Sequence, residues 1–315
     1  METCPYCQSS KSLVFGNVFC SRHHDSMQTL ESGTLFIKTK KLEETAEHIS
    51  RLSIRLMLNG EQYYKVGNRE CLITPQNFLL INQGQRYQTA FKDEQELEML
   101  MVAFKPGMAG DIYRSFTASP MQLLDDPFAA TPPLSFFEQT YLLDPFIRQQ
   151  FQYLRRLMDT PLDYRNTTDL DTIYTTLLER LITLQYKLSQ QIDQLVHQRR
   201  SVREEIYDRL NIARNFIEVH YQQPLSVPEV ARAAALSPHH FKRLFKQAYH
   251  ITPHQFLVQK RLEAAQRLIQ TQAIEIQAVC QRVGFDDTSS FIRLFKKHFL
   301  QTPGQYRSQT SNIHS

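Results

Sequence analysis

The chain has 315 residues, 42% of them hydrophobic and 22% charged, with a formal net charge of +4. That is enough for two or three domains that each bury a core, and too much for one small binding module. No run of about 18 uncharged apolar residues occurs and Met1 to Ser12 is polar, so neither a membrane span nor a secretion signal is expected. Five cysteines, an odd number, form no disulfide framework and fit a reducing compartment, which predicts a cytoplasmic protein.

The first chemistry along the chain is Cys4-Pro5-Tyr6-Cys7, followed by Cys20 and His23 at C-x2-H spacing. Four such ligands describe a tetrahedral zinc or redox site, in which Cys4, Cys7, Cys20 and His23 would serve a sensor. Scattered thiols are the more frequent meaning of such a segment. His48 is the only histidine between Asp25 and Val196, so a metal-binding centre inside a barrel is unsupported.

Short strands are predicted next. Leu52, Ile54, Leu56 and Leu58 alternate with Ser53, Arg55 and Met57 and run into Asn59-Gly60, a signal for a type I′ hairpin with Tyr64 and Val66 on the return strand. Cys71 to Thr74, Phe78 to Ile81 and Leu97 to Phe104 are further candidates, giving a small barrel or sandwich over roughly residues 30 to 106. Tyr63, Tyr64, Phe78 and Tyr87 either line a pocket there or simply fill the core, and core is the commoner outcome.

All nine glycines lie at or before Gly110 or at Gly284 and Gly304, so the stretch between is expected to be helical. Two helices are expected between Asp111 and Arg200, bounded by Thr131-Pro132-Pro133 and Thr160-Pro161. The second carries a seam of Leu170, Tyr174, Leu177, Leu181, Leu184, Leu188, Gln191 and Leu195. Such a seam packs on the preceding helix or pairs two subunits.

From Arg203 to Ser315 there are 15 basic and 9 acidic residues, a net of +6, which leaves −2 for the rest. This basic third also contains a repeat. Phe241, Arg243, Leu244, Phe245, Lys246, Thr252, Pro253 and Gln255 return 50 residues later as Phe291, Arg293, Leu294, Phe295, Lys296, Thr302, Pro303 and Gln305. Upstream the shift is 49, and the difference falls in a turn. Ser226 and Glu229 have capping-box spacing, and Ser237 caps a helix opened by Pro238. In the second copy Gly284 suits a helix end, and Asp286 or Asp287 caps the next helix. Each copy therefore reads as a helix-turn-helix. Thr252-Pro253 and Thr302-Pro303 start a further helix after each, the first of them a strut to about Gln270.

Aromatic residues on one side of each second helix leave basic groups on the other. The expected DNA-facing residues are Ser237, His239, His240, Lys242, Arg243 and Lys246 in the first copy. In the second they are Asp287, Ser289, Ser290, Arg293, Lys296 and Lys297. Arginine pairs with guanine O6 and N7, and lysine neutralises phosphate. Two such helices held by a strut suit successive major grooves about 34 Å apart and a bipartite site of roughly 17 to 20 base pairs.

These residues resemble the AraC/XylS family of bacterial transcription regulators. The resemblance rests on Leu236-Ser237-Pro238-His239-His240-Phe241-Lys242-Arg243-Leu244-Phe245-Lys246, on Arg261-Leu262 and Ala265, and on Val283-Gly284-Phe285-Asp286-Asp287-Thr288-Ser289-Ser290-Phe291. Thr302-Pro303-Gly304-Gln305-Tyr306-Arg307 completes it, so that residues 203 to 308 are covered. His250 and Leu300 depart from it where the family has glycine, and Cys280 where alanine is usual. The resemblance implies double-stranded DNA as partner, activation through RNA polymerase, a homodimer and a cupin-like domain for a small-molecule effector. The expected fold is an α+β multidomain chain. It comprises a β-rich sensing domain (1–110), a helical linker and dimerisation region (111–202), tandem helix-turn-helix motifs (203–308) and a tail (309–315). An enzyme domain fused to a DNA-binding tail is the competing reading, but no P-loop, dinucleotide motif or catalytic constellation is present. No cofactor is expected beyond the zinc of the Cys/His segment.

Overall fold

The computed structural model describes residues 13–15, 32–39, 47–67, 69–90, 97–126, 131, 134–159, 167–193, 199–271 and 274–311. Cys4, Cys7, Cys20, His23 and the tail beyond residue 311 lie outside them. The chain forms two compact units, residues 1–190 and 191–315.

The first unit is built on two antiparallel sheets. Strands β1 (Leu13–Phe15), β2 (Gly33–Thr39), β9 (Leu97–Ala103), β4 (Ser53–Asn59), β7 (Asn77–Ile81) and β10 (Thr140–Leu142) form the larger sheet in that order. The smaller one orders β3 (His48–Ile49), β8 (Arg86–Ala90), β5 (Gln62–Val66) and β6 (Arg69–Ile73). The hairpin expected at Asn59-Gly60 does not form. β4 pairs with β7 and β9, whereas β5 pairs with β6 and β8. A type I′ turn needs positive φ at both central residues. Gly60 has φ 80, but Asn59 is not among the positive-φ residues, and the chain turns there from one sheet into the other.

β4 is central and buried on both faces, which explains why its alternation misleads. Leu52, Ile54 and Leu56 join Leu100 and Val102 in a core with helix α3 (Pro145–Asp159) and helix α4 (Thr167–Asp193). Met57 joins Tyr64, Val66, Leu79, Ile81 and Met99 between the sheets. Two short helices, α1 (Met108–Thr117) and α2 (Pro120–Asp125), follow β9, so among the described residues four helices occupy the region expected to hold two. The strand β10 was also unexpected there, and its three residues pair with β7.

Tyr174, Leu177 and Leu181 of the α4 seam are buried in this core, and Leu170 and Leu184 pack against it. That part of the seam is therefore committed within the chain. Asp144 Oδ1 accepts the N–H of Ile147 at 2.8 Å while Oδ2 receives Arg180 Nε at 2.7 Å, so one carboxylate starts α3 and ties it to α4. Buried Glu138 similarly accepts Arg69 Nη2 and the N–H of Asn82. The Thr34 and Tyr174 hydroxyls meet at 2.9 Å between β2 and α4.

The second unit is helical: α5 (Arg200–His220), α6 (Val227–Ala233), α7 (Pro238–Tyr249), α8 (Pro253–Thr271), α9 (Ile276–Arg282), α10 (Thr288–Phe299) and α11 (Pro303–Ser311). Among the described residues no helix is long and apolar enough to cross a membrane. No group of three or more His, Cys, Asp or Glu among them could hold a metal.

Candidate nucleic-acid interface

The local signals of the repeat act as their chemistry requires. Ser226 accepts the N–H of Glu229, whose carboxylate accepts the N–H and hydroxyl of Ser226, and this closes the capping box of α6. Ser237 accepts the N–H of His240 at the start of α7, with Pro238 at the first helical position. Asp287 accepts the N–H groups of Ser289 and Ser290 at the start of α10. The Ser290 hydroxyl and these N–H groups hold the Asp287 carboxyl below its ordinary range, with help from Arg293. Ser226 does the same for Glu229. Thr252 and Gln255, and again Thr302 and Gln305, bond reciprocally to open α8 and α11.

The packing repeats as well. In α7 the rings of Phe241 and Phe245 lie 5.4 Å apart, and Phe245 meets Phe256 of α8 at 5.7 Å. In α10 Phe291 and Phe295 lie 5.7 Å apart, and Phe295 meets Tyr306 of α11 at 5.9 Å. These edge-to-face contacts anchor the inner side of each second helix. On the outer side His239, Lys242, Arg243 and Lys246 are exposed and His240 is half-buried. The other copy exposes Ser289, Arg293, Lys296 and Lys297, with Ser290 half-buried. Ser237 and Asp287, expected to face DNA, have side chains engaged as helix caps. The remaining ten expected residues fall on α7 and α10; His239, His240, Arg243 and Lys246 take the places of Ser289, Ser290, Arg293 and Lys296, whereas Lys242 and Lys297 correspond to Ile292 and Gln247.

The backbone segment Tyr221 to Gln223, just after α5, joins the two copies. Arg261 of α8 donates from Nε to the Tyr221 carbonyl and from Nη2 to the Gln223 carbonyl, both at 2.8 Å. Its guanidinium lies 5.7 Å from the Phe285 ring in the second turn, and burial pulls its pKa below the ordinary arginine value. Gly284, at φ 89, approaches the same segment so closely that a Cβ would stand 2.6 Å from the Gln222 carbonyl oxygen. The sequence singles out Arg261 only as part of a motif. Its grip joins residues 38 to 40 positions apart, a separation no local pattern reports.

His250 and Leu300 end α7 and α10 at φ 60 and φ 62. Both keep the left-handed geometry for which glycine is suited. Leu300 is 85% exposed, so its side chain gains little there.

A helix-turn-helix domain model matches residues 230–309 and an AraC-like ligand binding domain model matches residues 45–178. A probable transcriptional regulator of Photobacterium leiognathi, LumQ, is 37% identical over 102 residues, 32% of this chain and 41% of its own. The HTH-type transcriptional regulator AlkR of Acinetobacter baylyi is 31% identical over 105 residues, 33% of this chain and 34% of its own. The chain thus spans well under half the length of these curated relatives. Among solved structures, the C-terminal domain of the two-component response regulator yesN from Fusobacterium nucleatum is 32% identical. It covers 30% of this chain and 93% of its own, with a TM-score of 0.29. The two matched models together account for more than half of the sequence, one in each compact unit, and the chain belongs to the AraC family.

Proposed function

We infer that the protein is a transcription regulator that reads DNA sequence with α7 and α10 placed in successive major grooves. The observation that carries this reading is the duplicated pair of helices, each held down by an aromatic face and each exposing an Arg and a Lys at equivalent positions. Arg243 and Arg293 are the base readers, and Lys242, Lys246, Lys296 and Lys297 contact phosphate. His239, His240, Ser289 and Ser290 line the same faces. Ser237 and Asp287 act by fixing where each helix begins. Residues 45–178 sense a small-molecule effector. Activation through RNA polymerase and action as a homodimer follow from the family resemblance. The dimer surface then lies away from Tyr174, Leu177 and Leu181, which serve the chain's own core.

Selection of the full-length protein on a random duplex library at near-physiological salt tests the reading. A two-block motif with blocks one helical turn apart is the expected product. A single short block, or no enrichment, overturns it. In vitro transcription from the selected site with RNA polymerase, with and without the protein, then reads the sign of regulation.

A further inference from the structure

Arg55 occupies a polar position in the alternation of β4, yet it is only 2% exposed. Its strand neighbours on the same face are Leu79 of β7 and Met101 of β9. Across from it stand Tyr64 of β5 and Tyr87 of β8. The guanidinium carbon lies 3.7 Å from the Tyr87 ring centre and 5.2 Å from that of Tyr64. Nη2 reaches Ser50 Oγ only at 3.4 Å, and Ser50 already donates to the Arg51 carbonyl at 2.6 Å. Nε is buried with no hydrogen-bond partner. Among the described residues no carboxylate forms an ion pair with Arg55.

A buried cation in this state is costly unless something neutralises it. An aromatic ring can cover a face of a guanidinium, but it cannot meet the N–H groups that point outward in the plane, and at Arg55 the Nε–H stays unmet. The group suited to that edge is a planar oxyanion, which accepts two N–H bonds side by side. Around it Met57, Leu79, Tyr64 and Met99 offer apolar and aromatic surface. Partly exposed Tyr87, paired with His48 at the short edge strand β3, stands on the side toward solvent.

We propose that Arg55 is the anchor of an effector site between the two sheets, and that the effector is a small organic carboxylate with an apolar or aromatic body. The carboxylate lies in the guanidinium plane and bonds the free Nε edge. Tyr87 lies against the guanidinium with Tyr64 beside it, and the body rests on Met57, Met99 and Leu79. This rests on the reading of residues 45–178 as a ligand-sensing domain and adds the chemical class of the ligand and the residue that selects it.

Calorimetric titration of the full-length protein with benzoate and hexanoate, each against its amide (benzamide, hexanamide), tests the site. Carboxylate binding is expected to be saturable and at least ~10-fold tighter than that of the matched amide, since the amide cannot supply a charged bidentate acceptor. Arg55→Lys keeps the charge but not the fork and should weaken the carboxylates while narrowing their advantage over the amides. Arg55→Met should abolish the discrimination and, without ligand, resist urea at least as well as the wild type, because an unmatched buried charge is removed. Equal affinities for acid and amide, or no response to either carboxylate, overturn the proposal. So does Arg55→Met that binds carboxylates as well as the wild type. The DNA selection is a separate assay on wild-type protein. Its failure would overturn the proposed function and leave this titration intact, and the reverse also holds.

Discussion

The two helix-turn-helix units build one turn from different residues, and the difference shows what selects each. Ala235 at φ 51 and Gly284 at φ 89 are equivalent under the 49-residue shift. The hydrogen bonds around them repeat: Leu236 N–H to the Ala231 carbonyl at 2.9 Å, and Phe285 N–H to the Cys280 carbonyl at 3.0 Å. Backbone geometry therefore demands a positive φ in both turns, and both residues supply it. Only the second turn lies against the Tyr221 to Gln223 carbonyls, where there is no space for a methyl group. Ala235 is exposed, with Arg209 donating to its carbonyl at 3.0 Å. Conformation sets a preference for glycine, and the neighbour turns the preference into a requirement.

Exchanging the two residues separates these effects. Gly284→Ala should destabilise the full-length protein by about 2 to 4 kcal/mol in urea unfolding, from backbone strain plus the clash. Ala235→Gly should change stability by less than about 1 kcal/mol, and in the favourable direction. Equal losses at the two sites would remove the role assigned to Gln222. Next in size is a functional comparison between the copies. Arg243→Ala and Arg293→Ala should each weaken binding to the selected duplex by about 1 to 3 kcal/mol and relax preference in one block only. Weakening that is uniform over all sequences would instead mark a phosphate contact.

The helix ends extend the comparison to smaller effects. His250→Gly and Leu300→Gly should each raise stability by roughly 0.5 to 1 kcal/mol, because each relieves a left-handed residue that has a Cβ. Leu300→Gly is the cleaner test, since its side chain is almost fully exposed. The smallest effect is on acidification. The folded-state pKa values of Asp287 and Glu229 are lowered, so their capping contribution is complete above the ordinary carboxylate range and lost as pH falls through the lowered values. Asp287→Asn and Glu229→Gln keep a side-chain acceptor without a titrating group, so thermal melts of these variants should respond less to acid than the wild type.

The second unit was legible in the sequence because its signals are local. Ser226 with Glu229, Ser237 with Pro238 and Thr252 with Gln255 each act within one helical turn, and the repeat writes much of that grammar twice. The first unit was harder to read because its decisive contacts are long-range. Asn59-Gly60 carries a strong hairpin signal, yet the partners of β4 are β7 and β9, and their pull on the strand outweighs the dipeptide. The four aromatics considered together divide between faces. Phe78 stacks on Tyr141 at 5.3 Å in the helix-facing core, while Tyr64 and Tyr87 lie between the sheets. Tyr63, next to Tyr64 in β5, points to the opposite face of the strand. Arg55 stands in the sequence only as one of the residues that alternate with the leucines of β4. Only the closing of a second sheet over it, which no window of β4 reveals, makes it a buried charge.

If α7 and α10 read successive grooves as proposed, the grip of Arg261 on two backbone carbonyls bears on base pairs that the protein never touches. With the second turn pressed against the same segment, the distance and twist between α7 and α10 are set by the protein, as in a caliper of fixed opening. Any mismatch with a straight duplex is then taken up by the DNA between the two blocks. Flexible pyrimidine–purine steps in that spacer yield at lower cost than stiff A-tracts. The selected sites should therefore show a composition bias in the spacer between their blocks, and loosening the caliper with Arg261→Ala should flatten that bias before it erases the blocks themselves.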